Sequence, residues 1–393
     1  MKIVIAGAGI GGLTAAGCLL QQGHDVTILE AAPQLGEVGA GIQQSANAVK
    51  VLHHIGLKDE LNVIGVKPGY YHFKTYDSGE IIQSIPLGKA HEERFGVPYY
   101  QLHRADLHRL LVRRVRELKS DAIQLNSAVT QYTQDDKGVS VSTANGDKYK
   151  CELLVGADGI KSNVRSQMLG EQPANFTGQV AWRVIVPTHE LPRNFMEQTM
   201  DVYCGPGAHA VIYYLKGGEL VNFVGLVRHP DWNQEGWTIK SPWQDLKADF
   251  EGWHPIIQTL IDQADKDECY RWALNNRAEL TTWRDGNVVL LGDACHPTLP
   301  YLAQGAAMAI EDGAVLSRCL SEFESLDKAL HIYESHRKPR TTKIVNESTA
   351  NATLFQHDSM AELKSAFSKR NMDKERTQWL YSYDALNVEL EGR

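Results

Sequence analysis

The sequence predicts a doubly wound α/β fold, interrupted by an inserted antiparallel β-sheet and finished by a helical tail. Three observations predict it. A strand, a glycine turn, a helix and a second strand open the chain between Lys2 and Glu30. Two later apolar strands run into small-residue acidic turns, Gly156-Ala157-Asp158-Gly159 and Gly292-Asp293-Ala294-Cys295-His296-Pro297. Between those turns, over about 176–275, alternating apolar runs replace the helix–strand rhythm.

Each element has its own justification. Lys2–Ala6 (KIVIA) is a short β-branched run of the kind buried in parallel sheets. Gly7–Gly12 makes the turn; Leu13, Ala16, Leu19 and Leu20 then share one helical stripe, and Gly23 is placed to cap its end. Val26–Glu30 is the second strand. Leu107, Leu110, Leu111, Val115 and Leu118 recur at helical spacing, with Arg109, Arg113, Arg114 and Arg116 on a solvated face. Residues 138–158 read as strand, polar turn (Ala144–Asp147) and strand. Ala208–Leu215 and Leu220–Val227 flank Lys216-Gly217-Gly218-Glu219, a hairpin signal that sets Tyr213 opposite Asn222 and His209 opposite Leu226. Val288–Leu291 is another buried strand and feeds a small-residue helix over Gln304–Leu316. The expected division is a nucleotide domain from 1–72, 98–175 and 276–345, a β-sheet domain from 73–97 and 176–275, and a helical tail over 346–393.

Composition narrows the function. A chain of 393 residues with 33 Gly and 14 Pro is neither collagen-like nor Pro/Gly-rich and disordered. A formal charge of −8 leaves no basic surplus for phosphates, so a nucleic-acid partner is not expected. The six cysteines show no CxxC pair and no zinc-like spacing, which predicts no disulfide framework, no metal site and a reducing, cytoplasmic address. The first twenty residues loosely mimic a signal peptide, but five glycines interrupt them, and no later run reaches the roughly 18 apolar residues of a membrane span.

Chemistry concentrates in the turns. In Gly7-Ala8-Gly9-Ile10-Gly11-Gly12, Gly7 permits a tight turn, Gly9 lets backbone approach a pyrophosphate, and Gly12 lets helix and strand pack closely. Glu30 ends the second strand, where its carboxylate accepts both hydroxyls of an adenosine ribose. This context predicts a dinucleotide site. Asp158 and Asp293 follow strands at the end where open α/β sheets bind ligands; Asp293 suits a sugar hydroxyl, and a helix N-cap is the alternative role for either acid. His296 reads as a structural cap before Pro297. In the insert, His209, Val211, Tyr213 and Leu215 share one face by their period of two, so a His and a Tyr stand among apolar neighbours. That pair suits a pocket that orients an aromatic acid and takes a phenolic proton; satisfied core aromatics are the alternative.

GAGIGG with Glu30, HRADL at 103–107, GADGIKSNVR at 156–165 and GDACHPTLPYLAQGAAMAIEDG at 292–313 resemble the group A flavoprotein monooxygenases. These are single-component aromatic hydroxylases such as salicylate hydroxylase and 3-hydroxybenzoate 6-hydroxylase, and the resemblance runs from Met1 to WLYSYDAL at 379–386. It implies FAD as cofactor, NADH or NADPH as co-substrate, O2, a homodimer, and hydroxylation of a small phenolic acid through a flavin C4a-hydroperoxide. A salicylate-type substrate is favoured. A hydroxybenzoate, a hydroxynicotinate, a urate-like or polyketide phenol, or a flavin-binding redox-gated module without turnover stand as alternatives. Residue by residue, the resemblance assigns Gly7, Gly9, Gly12 and Glu30 to the ADP moiety. Arg104 falls beside the FAD phosphates and ribityl chain, Asp158 at FAD and nicotinamide contacts, and Asp293 at the ribityl chain. Pro297, Gly305 and Ala306 fall beside the isoalloxazine. His209 and Tyr213 are the expected catalytic pair, with Arg183, Tyr301 and Asn222 expected at the substrate. Pro300 departs from the family, because the 3-hydroxybenzoate enzymes carry glutamine there, and so disfavours that substrate.

Overall fold

The computed structural model describes residues 1–36, 41–234, 236 and 239–390 of the chain. Its first sheet has the order Arg284–Asp285, Val288–Leu290, Leu153–Gly156, Lys2–Ala6, Asp25–Leu29, Ile123–Gln124. All pairings are parallel except that of the Arg284–Asp285 edge. The segments that follow Ala6, Leu29, Gly156 and Leu290 therefore emerge on one side of the sheet. The first helix, Ile10–Gln21, packs against the helices Gly305–Glu322 and Arg104–Leu118. Small residues make the first contact possible: a Cβ on Gly313 would stand 2.8 Å from the Ala15 nitrogen. Residues 138–158 form the expected hairpin, but the second strand divides. Lys148–Cys151 stays in a three-stranded sheet, and at Glu152, which bonds Lys2 through both backbone and side chain, the chain enters the parallel sheet as Leu153–Gly156.

The large sheet has the order Tyr270–Asn276, Asn175–Pro187, Leu220–Arg228, Ala208–Leu215, Met200–Gly205, Tyr70–Thr75, Ile81–Pro86. It corrects the expectation of a purely antiparallel insert, because Met200–Gly205 pairs in parallel with Tyr70–Thr75. Parallel neighbours need a crossover rather than a hairpin, and here the chain between Thr75 and Met200 provides it. Four expected boundaries also fall inside continuous elements: 72/73 within the strand Tyr70–Thr75, 175/176 and 275/276 at the outer ends of Asn175–Pro187 and Tyr270–Asn276, and 345/346 within the helix Leu326–Phe355. The last three residues of the expected tail lie outside the described set.

Register fixes which side chains share a face. One row crosses the sheet as Thr75, Cys204, His209, Leu226, Ala181 and Trp272; the next as Phe73, Val202, Val211, Val224, Arg183 and Tyr270; a third as Tyr71, Met200, Tyr213, Asn222 and Ile185. The opposite face carries Trp182, Phe223 and Ile212 and is covered by two helices absent from the sequence reading, Trp243–Asp249 and Pro255–Asp262. The inner face meets the tail: Tyr71, Phe73, Val202 and Tyr213 join one core with Phe355, Phe367, Met372, Leu380 and Tyr381.

A buried polar network joins these layers. Arg337, on the long helix, meets Glu311 at 2.7 Å and Asp312 at 2.7 Å, with all three side chains shielded from water. Asp312 also accepts from the Gly292 nitrogen at 3.0 Å and pairs with His296 Nε2 at 2.5 Å. Glu311 further binds Arg340 and Asn47, and Asn47 reaches Gln304. The Arg337 and His296 charges hold the Asp312 carboxyl down at about 2 against its burial. Removing one partner of such a network leaves buried charge uncompensated. Arg337→Met is thus expected to cost about 3–5 kcal/mol of stability, read as a lowered midpoint in urea; a loss within experimental error would show that the network is energetically neutral.

Candidate active site

The carboxyl ends of the parallel strands converge on the Gly7–Gly12 turn. Gly7 has φ +102°, and a Cβ there would lie 2.4 Å from the Ala157 carbonyl oxygen; a Cβ on Gly12 would lie 2.1 Å from the Gly7 oxygen. Only glycine suits both positions. At Gly9, by contrast, a Cβ would meet nothing within 4 Å, so the turn presents bare backbone to open space beside the start of the first helix. That is the cradle a pyrophosphate needs. The Glu30 carboxylate is held at its rim by the Ala8 and Ala32 nitrogens at 2.7 and 2.8 Å. The ring of His108, buried on the helix Arg104–Leu118, lies 2.8 Å from the Ala8 oxygen, and Arg104 stands one turn earlier on the same helix.

The two acidic turns differ. One oxygen of Asp158 accepts from the Asn163 and Val164 nitrogens at 2.8 and 3.2 Å and so holds the start of the helix Asn163–Leu169, the capping alternative raised above; its other oxygen is buried without a partner. Asp293 caps nothing. Its side chain is exposed at the groove outside the carboxyl ends of the strands, and desolvation there raises its pKa. His296 and Arg104 lie close enough to oppose that rise. Arg165 ties the two turns together by donating to the Ala294 and Ile160 carbonyls at 3.1 and 2.8 Å. Pro297 is buried at the end of the second turn, while Gly305 and Ala306, half-buried, open the helix that follows. The open backbone at Gly9, the carboxylate at Glu30 and the groove-lining Asp293 together fit FAD.

The inner face of the large sheet closes over this groove. Gly41 donates its nitrogen to Asn222 Oδ1 at 2.9 Å, and a Cβ on Gly41 would fall 2.3 Å from the Tyr213 hydroxyl. Gly41 is thus pinned against the Tyr213–Asn222 pair that the hairpin register predicts. Beside Tyr213 lies Gln43, whose Oε1 accepts from the Tyr99 hydroxyl at 2.8 Å. His209 stacks near Tyr301 and Phe355, with ring centroids 5.2 and 5.3 Å away. Its Nδ1 faces Gln356 Nε2 at 3.2 Å, and the Tyr301 hydroxyl donates to Gln179. With Gln356 Nε2 also reaching the Leu226 carbonyl and Gln179 Oε1, the amide turns its hydrogens toward this cluster, and His209 Nδ1 faces them in the tautomer that carries its proton on Nε2. Burial drives His209 down to about 3 and the Tyr213 phenol far up, so both groups stay neutral at ordinary pH. Arg183 is buried over Tyr270 and Trp272, with Nη2 unpartnered and with Arg104 close enough to disfavour its charge.

The expected residues thus form two connected groups, His209 with Tyr301, and Tyr213 with Asn222, while Arg183 lies across the next strands. Gln43, Tyr99, Gln179, Gln356 and Gly41 escaped the sequence reading: each is a single polar or small residue outside any motif, brought in from a distant part of the chain. A glycine-turn groove beneath a polar-lined sheet face defines a flavoprotein of the two-lobed, substrate-enclosing class.

Comparison with known proteins makes this specific. A family model described as an FAD binding domain matches residues 1–348. The chain is 33% identical to the 6-hydroxynicotinate 3-monooxygenase of Pseudomonas fluorescens, over 99% of this chain and 96% of that relative. It is also 33% identical to the 3-hydroxybenzoate 6-hydroxylase of Polaromonas naphthalenivorans, over 98% and 97%. Its fold matches Klebsiella pneumoniae HpxO, solved with FAD and uric acid, with a TM-score of 0.83 at 27% identity, covering 94% of this chain and 92% of that one. The chain belongs to the group A FAD-dependent aromatic hydroxylases.

Two outcomes follow from the site. Gly12→Ala forces a methyl group onto the Gly7 carbonyl, and the purified variant should retain little FAD by its visible absorbance per protein; normal loading would remove Gly12 from the fingerprint. For His209 the sign is set by its lowered pKa. The unfolded chain takes up a proton near 6.5 and the folded chain only near 3, so stability present above 6.5 drains away as the pH falls between these values. The contribution is at most about 1.4 kcal/mol per pH unit. His209→Gln should flatten that part of the stability–pH curve, and an unchanged slope would mean that His209 is not held neutral.

Proposed function

We propose that the protein uses a reduced nicotinamide, NADH or NADPH, and O2 to hydroxylate a small aromatic acid bearing a ring hydroxyl. The observation that carries this reading is the pair of buried, uncharged donors His209 and Tyr213 on the inner sheet face, with Asn222 beside them, above the groove that fits FAD. When bound, FAD supplies the redox chemistry, hydride acceptance and oxygen activation. The chain supplies everything else. Gly7, Gly9, Gly12 and Glu30 would hold the ADP moiety, Arg104, Asp158 and Asp293 the phosphates and sugar chain, and Pro297, Gly305 and Ala306 the ring edge.

At the substrate, the pKa directions argue for a role other than proton acceptance. A His held at about 3 is a poor base and a Tyr held far above neutrality is a poor acid. His209 Nε2–H and the Tyr213 hydroxyl are instead suited to donate to the ring oxygen, stabilising the negative charge that makes the ring nucleophilic, in a site closed to water. Asn222, with Nδ2 buried and unpartnered, and Tyr301, whose ring lies tilted against His209, would bound the ring. Arg183 would face an anionic group of substrate or nicotinamide donor.

Among substrates, 6-hydroxynicotinate and 3-hydroxybenzoate appear in the names of similar enzymes, and salicylate shares their hydroxyl-plus-carboxylate pattern. Pro300 argues against the 3-hydroxybenzoate outcome. Six free, buried cysteines support a reducing, cytoplasmic setting. Among the described residues, no helix is long and apolar enough to cross a membrane.

The test is anaerobic mixing of FAD-loaded protein with NADH or NADPH, with and without each of these three acids, following loss of the flavin's visible absorbance. One acid should accelerate reduction and, in air, gain one oxygen atom. Tyr213→Phe and His209→Ala should each slow turnover about a hundredfold while FAD is retained. Reduction at full speed without any aromatic, or no acceleration by any of them, would overturn the reading.

A further inference from the structure

The tail places a charge where none of the site residues above accounts for it. Arg376 ends the short helix Met372–Arg376 and leads into the π-helical turn Thr377–Tyr381. It is only 2% exposed, and neither its Nε nor its Nη2 has a hydrogen-bond partner. Arg337 is matched by Glu311 and Asp312, Arg165 by two carbonyls and Arg271 by Asp245, whereas Arg183, like Arg376, keeps an Nη2 without a partner. The groups that act most strongly on Arg376 are phenols, those of Tyr71, Tyr381 and Tyr99, and no carboxylate is among them. Its carbon Cζ lies 4.5 Å over the Tyr71 ring and 5.7 Å from that of Phe73. Stacking on rings and hydrogen bonding to the Tyr381 phenol offset part of the cost of burying the cation, but Nε and Nη2 stay open, and a buried charge without a hydrogen-bonded counter-charge is expensive.

Its position gives the vacant donors a use. Tyr71 and Tyr213 share one row of the inner face, separated only by Met200. Tyr99 bridges the gap through Gln43, which lies beside Tyr213. From Tyr213 through Gln43 and Tyr99 to Arg376, the lining thus changes from neutral polar groups, suited to a ring hydroxyl, to a guanidinium, suited to an anion. Arg183 lies on the far side of Tyr213, beyond the strand Leu220–Arg228, and has Glu268 and Tyr270 within electrostatic reach.

We propose that Arg376 is the carboxylate-binding residue of the substrate site, its Nε and Nη2 donating to the carboxylate of an aromatic monoacid whose ring lies against Tyr213 and Gln43. This deepens the proposed function and rests on it. The tail, then, selects acids over neutral phenols.

The experiment is ligand binding to FAD-loaded protein without any nicotinamide, read as perturbation of the flavin spectrum. The probes are 6-hydroxynicotinate, 3-hydroxybenzoate and salicylate, each beside its carboxyl-free counterpart, 2-hydroxypyridine or phenol. In the wild type at least one acid should bind more tightly than its counterpart, and Arg376→Gln should weaken that acid about tenfold to a hundredfold while leaving the counterpart unchanged. Arg376→Lys keeps the charge without the paired donors and should fall between; it carries the same test should the glutamine variant lose FAD. Equal weakening of acid and counterpart in both variants would reduce Arg376 to a packing role and overturn the assignment. So would an acid preference that survives Arg376→Gln and disappears in Arg183→Gln, which would move the carboxylate to Arg183. A wild type that prefers the neutral compounds, yet is reduced faster in their presence once NADH or NADPH is added, would refute the carboxylate site alone and leave the hydroxylase reading standing.

Discussion

The Asp312 carboxylate is the constraint on which the rest of the site depends. It receives the Gly292 nitrogen, the His296 ring and the Arg337 guanidinium, all within the protein interior. The first two fix the turn that carries Asp293 and Pro297; the third fixes the long helix and, through it, the tail. Its neighbour Glu311 extends the grip to Asn47 and hence to the segment that begins with Gly41. A buried ionic cluster is rarely the cheapest way to fill space, since apolar residues of similar volume often serve stability as well. What it provides here is directional: the two carboxylates between them accept from the 292–296 turn, the long helix and Asn47, so the relative placement of four chain segments is set by bond geometry rather than by shape alone.

That placement puts a neutral ceiling over a polar floor. The floor is the groove at the strand ends, bare backbone at Gly9 and a carboxylate at Asp293. The ceiling is the sheet face of His209, Tyr213 and Asn222, in which every titratable group is pushed toward its uncharged form. Between them a developing charge meets fixed dipoles instead of mobile water, which is the condition under which hydrogen-bond donors stabilise it most. The Gly41–Asn222 bond, joining floor to ceiling, is as much a part of this arrangement as the side chains that would touch a ligand.

Much of this was readable in advance. The glycine turn with Glu30 is local: thirty consecutive residues carry the strand, turn, helix and strand, and the close contacts at Gly7 and Gly12 are why no other residue would serve. The hairpin at Gly217-Gly218 is local too, and so the pairing of Tyr213 with Asn222 and of His209 with Leu226 follows from turn length and period two. What escaped was non-local. Gln356 reaches His209, Tyr99 reaches Gln43 and Tyr70–Thr75 lies beside Met200–Gly205 only through tertiary folding, and no residue type or spacing marks these pairs beforehand. Asp158 shows the intermediate case: the motif located the acid correctly, but only coordinates reveal that one oxygen is already committed to a helix end.

The strand order has a consequence for how the molecule is made. Lys2–Ala6 takes as partners Asp25–Leu29 and Leu153–Gly156, and Leu153–Gly156 in turn waits for Val288–Leu290. Leu153–Gly156 therefore keeps an open hydrogen-bonding edge while the chain from Asn175 to Asn276, most of the second sheet, is still being synthesised. Exposed strand edges of this kind are where nascent chains associate wrongly. The unfinished protein should consequently lean on holding chaperones while that stretch is made.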